Sequence, residues 1–312
     1  MNEILDKVNR ASKEIKKVII GKDEIVDKIM ATIIADGHIL LEDIPGVGKT
    51  TLALALSKVS SLAYKRLQFT PDVLPTDVTG FSLYNKKTNE FEYVEGAAVC
   101  NLLLADEINR TSPKTQSALL EVMEEGKVTV DGVTRQIPRP FNVIATQNPL
   151  GSIGTQKLPE SQLDRFMVRL SMGYPDKESE IDILKGESGE KLEKLEVMIT
   201  GEEIIEAQKL AQNVYVRESI YEYIVELVGV TRNCPYTTLG ISPRGTIAIL
   251  RLAKAMAFMD GRDYVGPKDV QNALFDAGMH RIVISSKANA EGLNSKAVLE
   301  KIIALTDAPG VV

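Results

Sequence analysis

One stretch, residues 38–56, constrains the fold of this chain more than any other. It begins with a short apolar run, whose length and flanking turn residues are typical of a buried strand in a parallel sheet. A glycine loop at 46–48 follows, and the apolar run 52–56 predicts a helix. The order strand, glycine loop, helix predicts an α/β fold with an anion-binding site where the helix begins.

The side chains of this loop suit a nucleotide phosphate. Gly46 and Gly48 let the backbone approach a phosphate without a Cβ in the way. Lys49 would neutralise the β- and γ-phosphates, and the Thr50 hydroxyl would bind Mg²⁺. The match to G-x-x-x-x-G-K-[ST] is imperfect, because Asp43 occupies the position of the first glycine. The alternative is a glycine turn with a chance Gly-Lys-Thr, and the flanking strand and helix argue against it.

Composition excludes several classes of protein. The 312 residues leave room for about two domains. With 37 basic and 43 acidic residues, the net charge of −6 gives no general attraction to nucleic acid or anionic membranes, although a local basic patch is compatible with it. Two cysteines and two histidines are too few for a disulfide framework or a zinc centre built from them.

Targeting signals are missing from the sequence pattern. The charged side chains of Glu3, Asp6 and Lys7 are unlike those of a signal peptide. No apolar run approaches the ~20 residues needed to cross a bilayer. These features predict a soluble, cytoplasmic protein.

The chain changes character near residue 173. Before it, strand-like runs alternate with helical segments; after it, periodic helical segments follow, the first separated from the rest by a charged stretch at 185–196. We therefore predict an α/β domain at 1–173 and an all-helical domain at 174–312. Later strands are predicted at 64–69, 101–106, 141–146 and 166–171, and helices of the second domain at 177–186, 201–213, 217–231, 243–259, 267–279 and 295–304.

Two hairpins interrupt the first domain. Residues 81–95 predict two strands around a polar tip, and they hold four of the sixteen aromatic residues. That clustering fits either a surface that contacts a partner or cross-strand packing within the hairpin. The Asp131-Gly132 pair between β-branched runs predicts the second hairpin.

Polar side chains follow two of the predicted strands. Asp106 and Glu107 end one strand, and because neighbouring strand residues point in opposite directions, the two carboxylates can have different roles. Asp106 would hold Mg²⁺, and Glu107 would orient or deprotonate the water that attacks the γ-phosphate. Asn148 follows another strand, where it would hold that water or contact the γ-phosphate. Capping the turn at Pro149 is the alternative role for Asn148.

Together these motifs resemble the AAA+ ATPases, and at finer grain the MoxR family. An acidic residue at the Asp43 position is what a MoxR-like protein carries, so the imperfect loop pattern is expected. The chain departs from the family pattern at Gly96-Ala97-Ala98, where Gly-Pro is usual. The resemblance rests on residues 40–50, 69–80, 105–111, 114–121, 145–149, 158–166 and 242–245.

The resemblance implies a P-loop AAA+ core with a five-stranded parallel sheet flanked by helices and a C-terminal helical lid, with ATP between them. It also implies a nucleotide-dependent homo-oligomeric ring, usually of six subunits. The hairpin at 81–95 resembles the helix-2 insert, and that at 128–136 the hairpin before sensor 1; in related ATPases both line the central pore. The implied ATP-binding residues are Ile19, Ile20, Gly21, Pro45, Gly46, Val47, Gly48, Lys49, Thr50, Thr51, Asp106 and Arg244, with Thr50 and Asp106 as Mg²⁺ ligands. Ile19, Ile20 and Gly21 lie where such proteins line the adenine.

The resemblance also gives roles to three polar side chains. Asn148 resembles sensor 1. Arg165 resembles the arginine finger that is offered to the ATP of the neighbouring subunit. Arg244, at the start of a predicted lid helix, resembles sensor 2, which would reach the γ-phosphate of its own subunit. Without the resemblance, both arginines would be interpreted as solvated or structural.

The predicted function is therefore ATP hydrolysis that drives remodelling or maturation of a partner complex. The predicted catalytic residues are Lys49, Glu107, Asn148, Arg165 and Arg244. The resemblance implies a protein client or a partner with a von Willebrand factor A domain, and in some relatives metal insertion. The alternatives are a nucleotide-gated binding module with incidental hydrolysis and a DNA-handling AAA+ motor. A GTPase is disfavoured, because the sequence has no Asn-Lys-x-Asp or Thr-Lys-x-Asp stretch to recognise guanine.

Overall fold

The computed structural model describes residues 2–44, 46–148 and 157–310. Strands alternate with helices in the first half of the chain, and helices dominate the second. The strands are β1 (Ile39–Glu42), β2 (Tyr64–Gln68), β3 (Gly80–Asn85), β4 (Glu90–Glu95), β5 (Leu102–Asp106), β6 (Lys127–Val130), β7 (Val133–Gln136), β8 (Asn142–Gln147), β9 (Val168–Leu170), β10 (Thr237–Leu239) and β11 (Val283–Ile284).

The helices follow the periodic segments of the sequence closely. Each of those predicted after residue 173 is present within about two residues of its expected bounds. They are α1 (Asn2–Val18), α2 (Asp23–Ile34), α3 (Lys49–Val59), α4 (Pro75–Thr79), α5 (Pro113–Glu125), α6 (Glu160–Leu163), α7 (Lys177–Leu184), α8 (Glu187–Glu193), α9 (Gly201–Gln212), α10 (Glu218–Asn233), α11 (Pro243–Met259), α12 (Pro267–Gly278), α13 (Ser286–Ala290) and α14 (Ser295–Leu305).

Five strands form the central sheet, in the order β2-β5-β8-β1-β9, and every pair is parallel. The expected five-stranded parallel core is therefore confirmed. Because all strands run the same way, the loops that follow them meet at one edge of the sheet, which we call the carboxyl end. The loops that precede them meet at the opposite edge, the amino end.

Both faces of this sheet are covered, so its inner strands β1, β5 and β8 are almost entirely buried. The edge strand β2 is only partly buried and carries Lys65, Arg66 and Gln68. Side chains alternate between the faces along each strand. Leu102 and Leu104 pack in the core shared with α1–α3, whereas Leu103 packs in the core under α5. The first of these cores continues without interruption into the helices that follow β9.

Helix ends are set by local sequence signals. The Ser112 hydroxyl accepts a hydrogen bond from Thr115 N–H at the start of α5, and Gly126 ends that helix in the left-handed conformation. Ser242 caps α11 in the same way, through Gly245 N–H.

In the described part of the chain after β9, helices are accompanied by a short antiparallel pair of strands, β10–β11. The prediction of an all-helical lid therefore needs this correction, and the charged stretch at 185–196 contains α8. Both strands have only two or three residues, and the ladder contains a register shift, so neither has a detectable period. The domain boundary near residue 173 stays a prediction.

The hairpin β3–β4 projects into solvent. Its cross-strand pair Tyr84–Phe91 has ring centroids 5.4 Å apart, while Leu83 and Phe91 are mostly exposed. The cross-strand packing expected from the sequence is therefore present at Tyr84–Phe91, and contact of this hairpin with a partner stays a prediction. Within the described residues, no helix is long and apolar enough to cross a bilayer.

Candidate active site

The glycine loop after β1 has the backbone of an anion cradle. Gly46 and Gly48 have φ values of 87° and 93°, in the region that glycine adopts without strain. Helix α3 begins at Lys49 with Gly48 as its N-cap, and no side chain caps it, so its first N–H groups are open to a ligand. A Cβ built at Gly46 meets nothing within 4 Å, which leaves space above the loop. Pro45 lies outside the described residues.

Lys49 reaches back across this loop. Its Nζ donates to the main-chain oxygen of Asp43 at 2.9 Å, and the side chain is buried. Burial lowers the pKa of the Lys49 amine from its ordinary value, while the charges of Asp43, Asp106 and Glu107 act in the opposite direction. A phosphate in the loop would therefore find a cation that is already surrounded by protein.

Asp106 ends β5 and is fixed from two sides. The Thr146 hydroxyl donates to its Oδ1 at 2.6 Å, and the Arg66 guanidinium donates to its Oδ2 at 2.7 Å. Thr146 lies on β8 and Arg66 on β2, the strands on either side of β5. Both neighbours of the strand thus orient this carboxylate.

Glu107 has an unusual backbone and a fully engaged carboxylate. Its φ of 57° places it in the left-handed region, which a non-glycine residue rarely adopts. Asn148 Nδ2 donates to Oε1 at 2.7 Å, while Gln68 Nε2 and Arg110 Nη1 donate to Oε2 at 2.8 and 2.7 Å. The structure therefore brings Asp106, Glu107 and Asn148 together at the carboxyl end.

The oxygen ligands expected for Mg²⁺ fit this arrangement in part. Thr50 lies in the first turn of α3, and the carboxylate of Asp106 is fixed at the end of β5. Mg²⁺ in nucleotide sites is held by one or two protein oxygens together with phosphates and waters, so such a pair is sufficient. Among the described residues, no group of three or more His, Cys, Asp or Glu side chains could hold a metal ion alone.

The turn predicted to line the adenine lies at the end of α1. Ile19 is buried, Ile20 is half-buried, and Gly21 has a φ of 72°. A Cβ at Gly21 would lie 2.4 Å from Ser179 Oγ, so this turn is pressed against the start of α7. Val47 and Thr51 lie in the loop and in the first turn of α3, as their predicted roles require.

Arg165 and Arg244 lie at the amino end. Both pair with one carboxylate, that of Glu124 in the last turn of α5. Arg165 also donates to the main-chain oxygen of Leu120 at 2.8 Å. The arginines line a cleft of about 410 Å³ whose wall includes Gly37, which precedes β1.

This placement corrects one expectation. Arg244 does not approach the phosphate loop of its own chain, because β1 separates the two ends by about 13 Å at 3.3 Å per residue. The docking of α11 explains the position. Ser242, its N-cap, donates to Asp164 Oδ2 at 2.7 Å, and the buried Arg281 donates to Asp164 Oδ1 at 2.7 Å and to the Phe166 carbonyl at 2.7 Å. These bonds hold the start of α11 against the amino end.

Sequence reasoning missed five contacting side chains: Gln68 and Arg110 beside Glu107, Arg66 and Thr146 beside Asp106, and Glu124 between the arginines. Only Arg110 had a local signal, since it lies three residues after Glu107. Gln68 and Glu107 are 39 residues apart, and they meet because β2 lies next to β5.

Comparisons with known proteins agree with this geometry. The family described as "ATPase family associated with various cellular activities (AAA)" matches residues 38–168, and the "AAA lid domain" matches residues 229–302. The chain is 50% identical to an uncharacterized protein, YeaC, of Bacillus subtilis, over 97% of this chain and 95% of that protein. It is 36% identical to Chaperone MoxR1 of Mycobacterium tuberculosis, over 97% of this chain and 83% of that protein.

Among solved structures, the chain resembles a crystal structure of a putative ATPase from Cytophaga hutchinsonii. The TM-score is 0.91 at 37% identity, over 99% of this chain and 96% of that one. The likeness therefore includes the C-terminal helices together with the sheet.

Proposed function

Because the chain belongs to the MoxR family of AAA+ ATPases, we propose that it hydrolyses ATP to remodel or mature a partner protein complex. One observation carries the proposal. Asn148 Nδ2 donates to Glu107 Oε1 at 2.7 Å, beside the fixed carboxylate of Asp106 and at the same sheet end as the glycine loop. This arrangement supports Glu107 as the base and Asn148 as the amide that positions the water, beside a γ-phosphate held by Lys49.

The proposed chemistry is phosphoryl transfer to water. Lys49 leaves the Asp43 carbonyl and binds the β- and γ-phosphates. Glu107 and Asn148 orient a water, Glu107 accepts its proton, and the bond from the γ-phosphorus to the bridging oxygen breaks to release ADP. Mg²⁺ bound by Thr50 and Asp106 would neutralise developing charge on the phosphate oxygens.

We propose that Glu107 exchanges a partner when nucleotide and water bind. Its two oxygens accept three hydrogen bonds, from Asn148, Gln68 and Arg110. A water oriented by Glu107 would take the remaining acceptor position of the carboxylate or replace one of these donors.

We propose further that Arg165 and Arg244 both serve the ATP of a neighbouring subunit in a homo-oligomeric ring. Both lie at the amino end, away from their own loop, and both already bind an anionic group, the Glu124 carboxylate. The γ-phosphate of a neighbour would replace that carboxylate. Each site then combines the carboxyl end of one subunit with the amino end of the next.

The partner complex is proposed from the relatives and from the exposed hairpin. One relative carries the name Chaperone MoxR1, which supports a protein client. The exposed apolar side chains of β3–β4, including Leu83 and Phe91, offer a surface that such a client would bury. We place this activity in the cytoplasm.

Phosphate release tests the function. The wild type should release phosphate from ATP in the presence of Mg²⁺, and Lys49→Ala should reduce the rate to background. Lys58→Ala is the matched control. Lys58 lies on the same helix, and its exposed amine donates to the Leu192 carbonyl at 3.2 Å. Equal rates for the wild type and Lys49→Ala would reject hydrolysis and favour a nucleotide-gated binding module.

A second assay separates the DNA-handling alternative. Filter binding to DNA at low and at moderate salt should show no retention beyond the weak electrostatic background expected of an acidic protein. Tight binding that survives moderate salt would favour a DNA motor.

A further inference from the structure

Asp43, the residue that breaks the glycine-loop pattern, has a fully engaged side chain. Its Oδ1 accepts from Ser171 Oγ at 2.8 Å and from Gly173 N–H at 3.0 Å, and its Oδ2 accepts from Met172 N–H at 2.6 Å. The residue is 5% exposed. Three donors from consecutive residues therefore converge on one buried carboxylate.

The main chain of the same residue contacts the phosphate-binding lysine. The Asp43 carbonyl accepts the Lys49 amine at 2.9 Å. The proposed function requires this amine to move to the phosphates of ATP. A movement of the Lys49 amine would therefore break a hydrogen bond of the loop backbone at Asp43.

The segment on the other side of the carboxylate leads toward the lid. Residues 171–173 connect β9 with α7, and Gly173 has a φ of 61°, so the chain turns there. Just beyond it, Lys22 Nζ donates to the Tyr174 carbonyl at 2.7 Å, and Asp176 caps α7. This segment also passes beside the turn at Gly21 that is predicted to line the adenine.

Electrostatics alone would not select a carboxylate at this position. An anion next to a phosphate-binding loop opposes the binding of a second anion. Glycine, the residue of the general pattern, would avoid that charge. Three hydrogen bonds from the connection satisfy the carboxylate and offset this cost.

We propose that Asp43 is a positioning residue that couples the state of the phosphate loop to the β9–α7 connection, and through it to the lid. The inference rests on the proposed ATP-binding function and adds to it a route by which the nucleotide acts on the lid. When phosphate draws Lys49 away, the Asp43 backbone loses a bond, and its carboxylate transmits the resulting shift to residues 171–173.

The sharpest test is Asp43→Gly, which completes the pattern G-x-x-x-x-G-K-[ST]. A loop that only binds phosphate should work as well or better with this glycine. Under our proposal, Asp43→Gly binds ATP within about threefold of the wild type, while kcat falls by roughly tenfold or more, as expected for the loss of bonds to a charged group. An unchanged kcat would overturn the proposal.

Hydrogen exchange gives a readout that a structural role alone would not change. In the wild type, a non-hydrolysable ATP analogue should alter amide exchange in the segment 171–179. In Asp43→Gly the analogue should bind without altering exchange there. The same analogue-dependent change in both proteins would overturn the coupling, whether or not the protein hydrolyses ATP.

Two further variants distinguish a loss of coupling from misfolding of Asp43→Gly. Asp43→Asn keeps the shape but directs an amide donor at N–H donors, so it should reproduce the uncoupling. Ser171→Ala removes one donor and leaves both backbone bonds, so its effect on kcat should be smaller. A larger effect of Ser171→Ala would contradict the proposal. Absence of wild-type phosphate release above Lys49→Ala would instead reject the proposed function, and the exchange experiment would still test the coupling.

Discussion

The two ends of the central sheet hold their polar side chains in different ways. At the carboxyl end, Lys49, Asp106 and Asn148 are largely buried and each is held by a hydrogen bond. Lys49 donates to the Asp43 carbonyl, Asp106 accepts from Thr146, and Asn148 donates to Glu107. At the amino end, Arg165 and Arg244 are held by one exposed carboxylate. The side chains of Arg244 and Glu124 are 43% and 42% exposed.

The difference indicates which end can exchange partners. Exposed ion pairs contribute little to stability, so the Glu124 carboxylate can be replaced by another anion at small cost. The buried contacts at the carboxyl end cannot be replaced as easily. We infer that the carboxyl end holds the nucleotide, whereas the arginines of the amino end can bind an anion of another molecule.

The largest effect is expected at the exposed end. Arg165→Ala should retain ATP binding but lose about 10³-fold or more in kcat. The reason is that an arginine supplied by a neighbouring subunit raises kcat by a factor of about 10³–10⁵. Steady-state phosphate release and equilibrium ATP binding measure the two quantities. Arg139→Ala, an arginine of the same cleft paired with Asp36, is the control and should change kcat little. If both variants lost kcat equally, the loss would come from a disturbed cleft and not from a contact of Arg165 with ATP.

The next effect concerns the buried end. Glu107→Gln should bind ATP and lose about 10²–10⁴-fold in kcat, because the amide cannot accept a proton from water. ATP that stays bound through gel filtration would show the trapped state. If Glu107→Gln hydrolysed ATP at the wild-type rate, Glu107 would not be the base.

A pH effect should follow from the burial of Lys49. Its lowered pKa rises when phosphate binds, because a nearby anion favours the charged amine. Between the two pKa values, ATP binding must therefore take up a proton, and the affinity falls by up to about tenfold per pH unit on the alkaline side. Calorimetry in buffers of different ionisation enthalpy would detect the uptake. Its absence on the alkaline side would mean that Lys49 stays charged in the free protein.

The smallest effect is expected at Glu124. Glu124→Gln should lower the free energy of unfolding by about 0.5–1 kcal/mol, the range for exposed pairs. Urea denaturation measures it, with Glu121→Gln, an exposed residue of the same helix, as control. A loss of kcat as large as that of Arg165→Ala would assign Glu124 to the chemistry and contradict the comparison.

The sequence was informative wherever a signal was local. Apolar runs located the strands, and their ends located Asp106, Glu107 and Asn148 on one edge of the sheet, because parallel strands align their carboxyl ends. Ser112 and Ser242 cap α5 and α11 through N–H groups only three residues away, which is a signal of the same local kind. The roles of these side chains in hydrolysis stay predictions.

Long-range contacts decided what the sequence could not. The end of the sheet reached by Arg244 depends on bonds from Ser242 and Arg281 to Asp164, which is 78 and 117 residues away in the chain. The contact of Gln68 with Glu107 depends on strand order, which no spacing of residues reveals. The pair β10–β11 is too short to have a period.

One mixing experiment tests the central claim that each site is divided between subunits. Arg244→Ala and Lys49→Ala should each be nearly inactive alone. If Arg244 acts on the neighbour, a mixed ring contains intact sites in which Lys49 comes from one variant and Arg244 from the other, so phosphate release should recover partly. Arg165→Ala mixed with Lys49→Ala should behave in the same way. No recovery at any mixing ratio would contradict the account, because an Arg244 that serves its own subunit cannot be supplied by another.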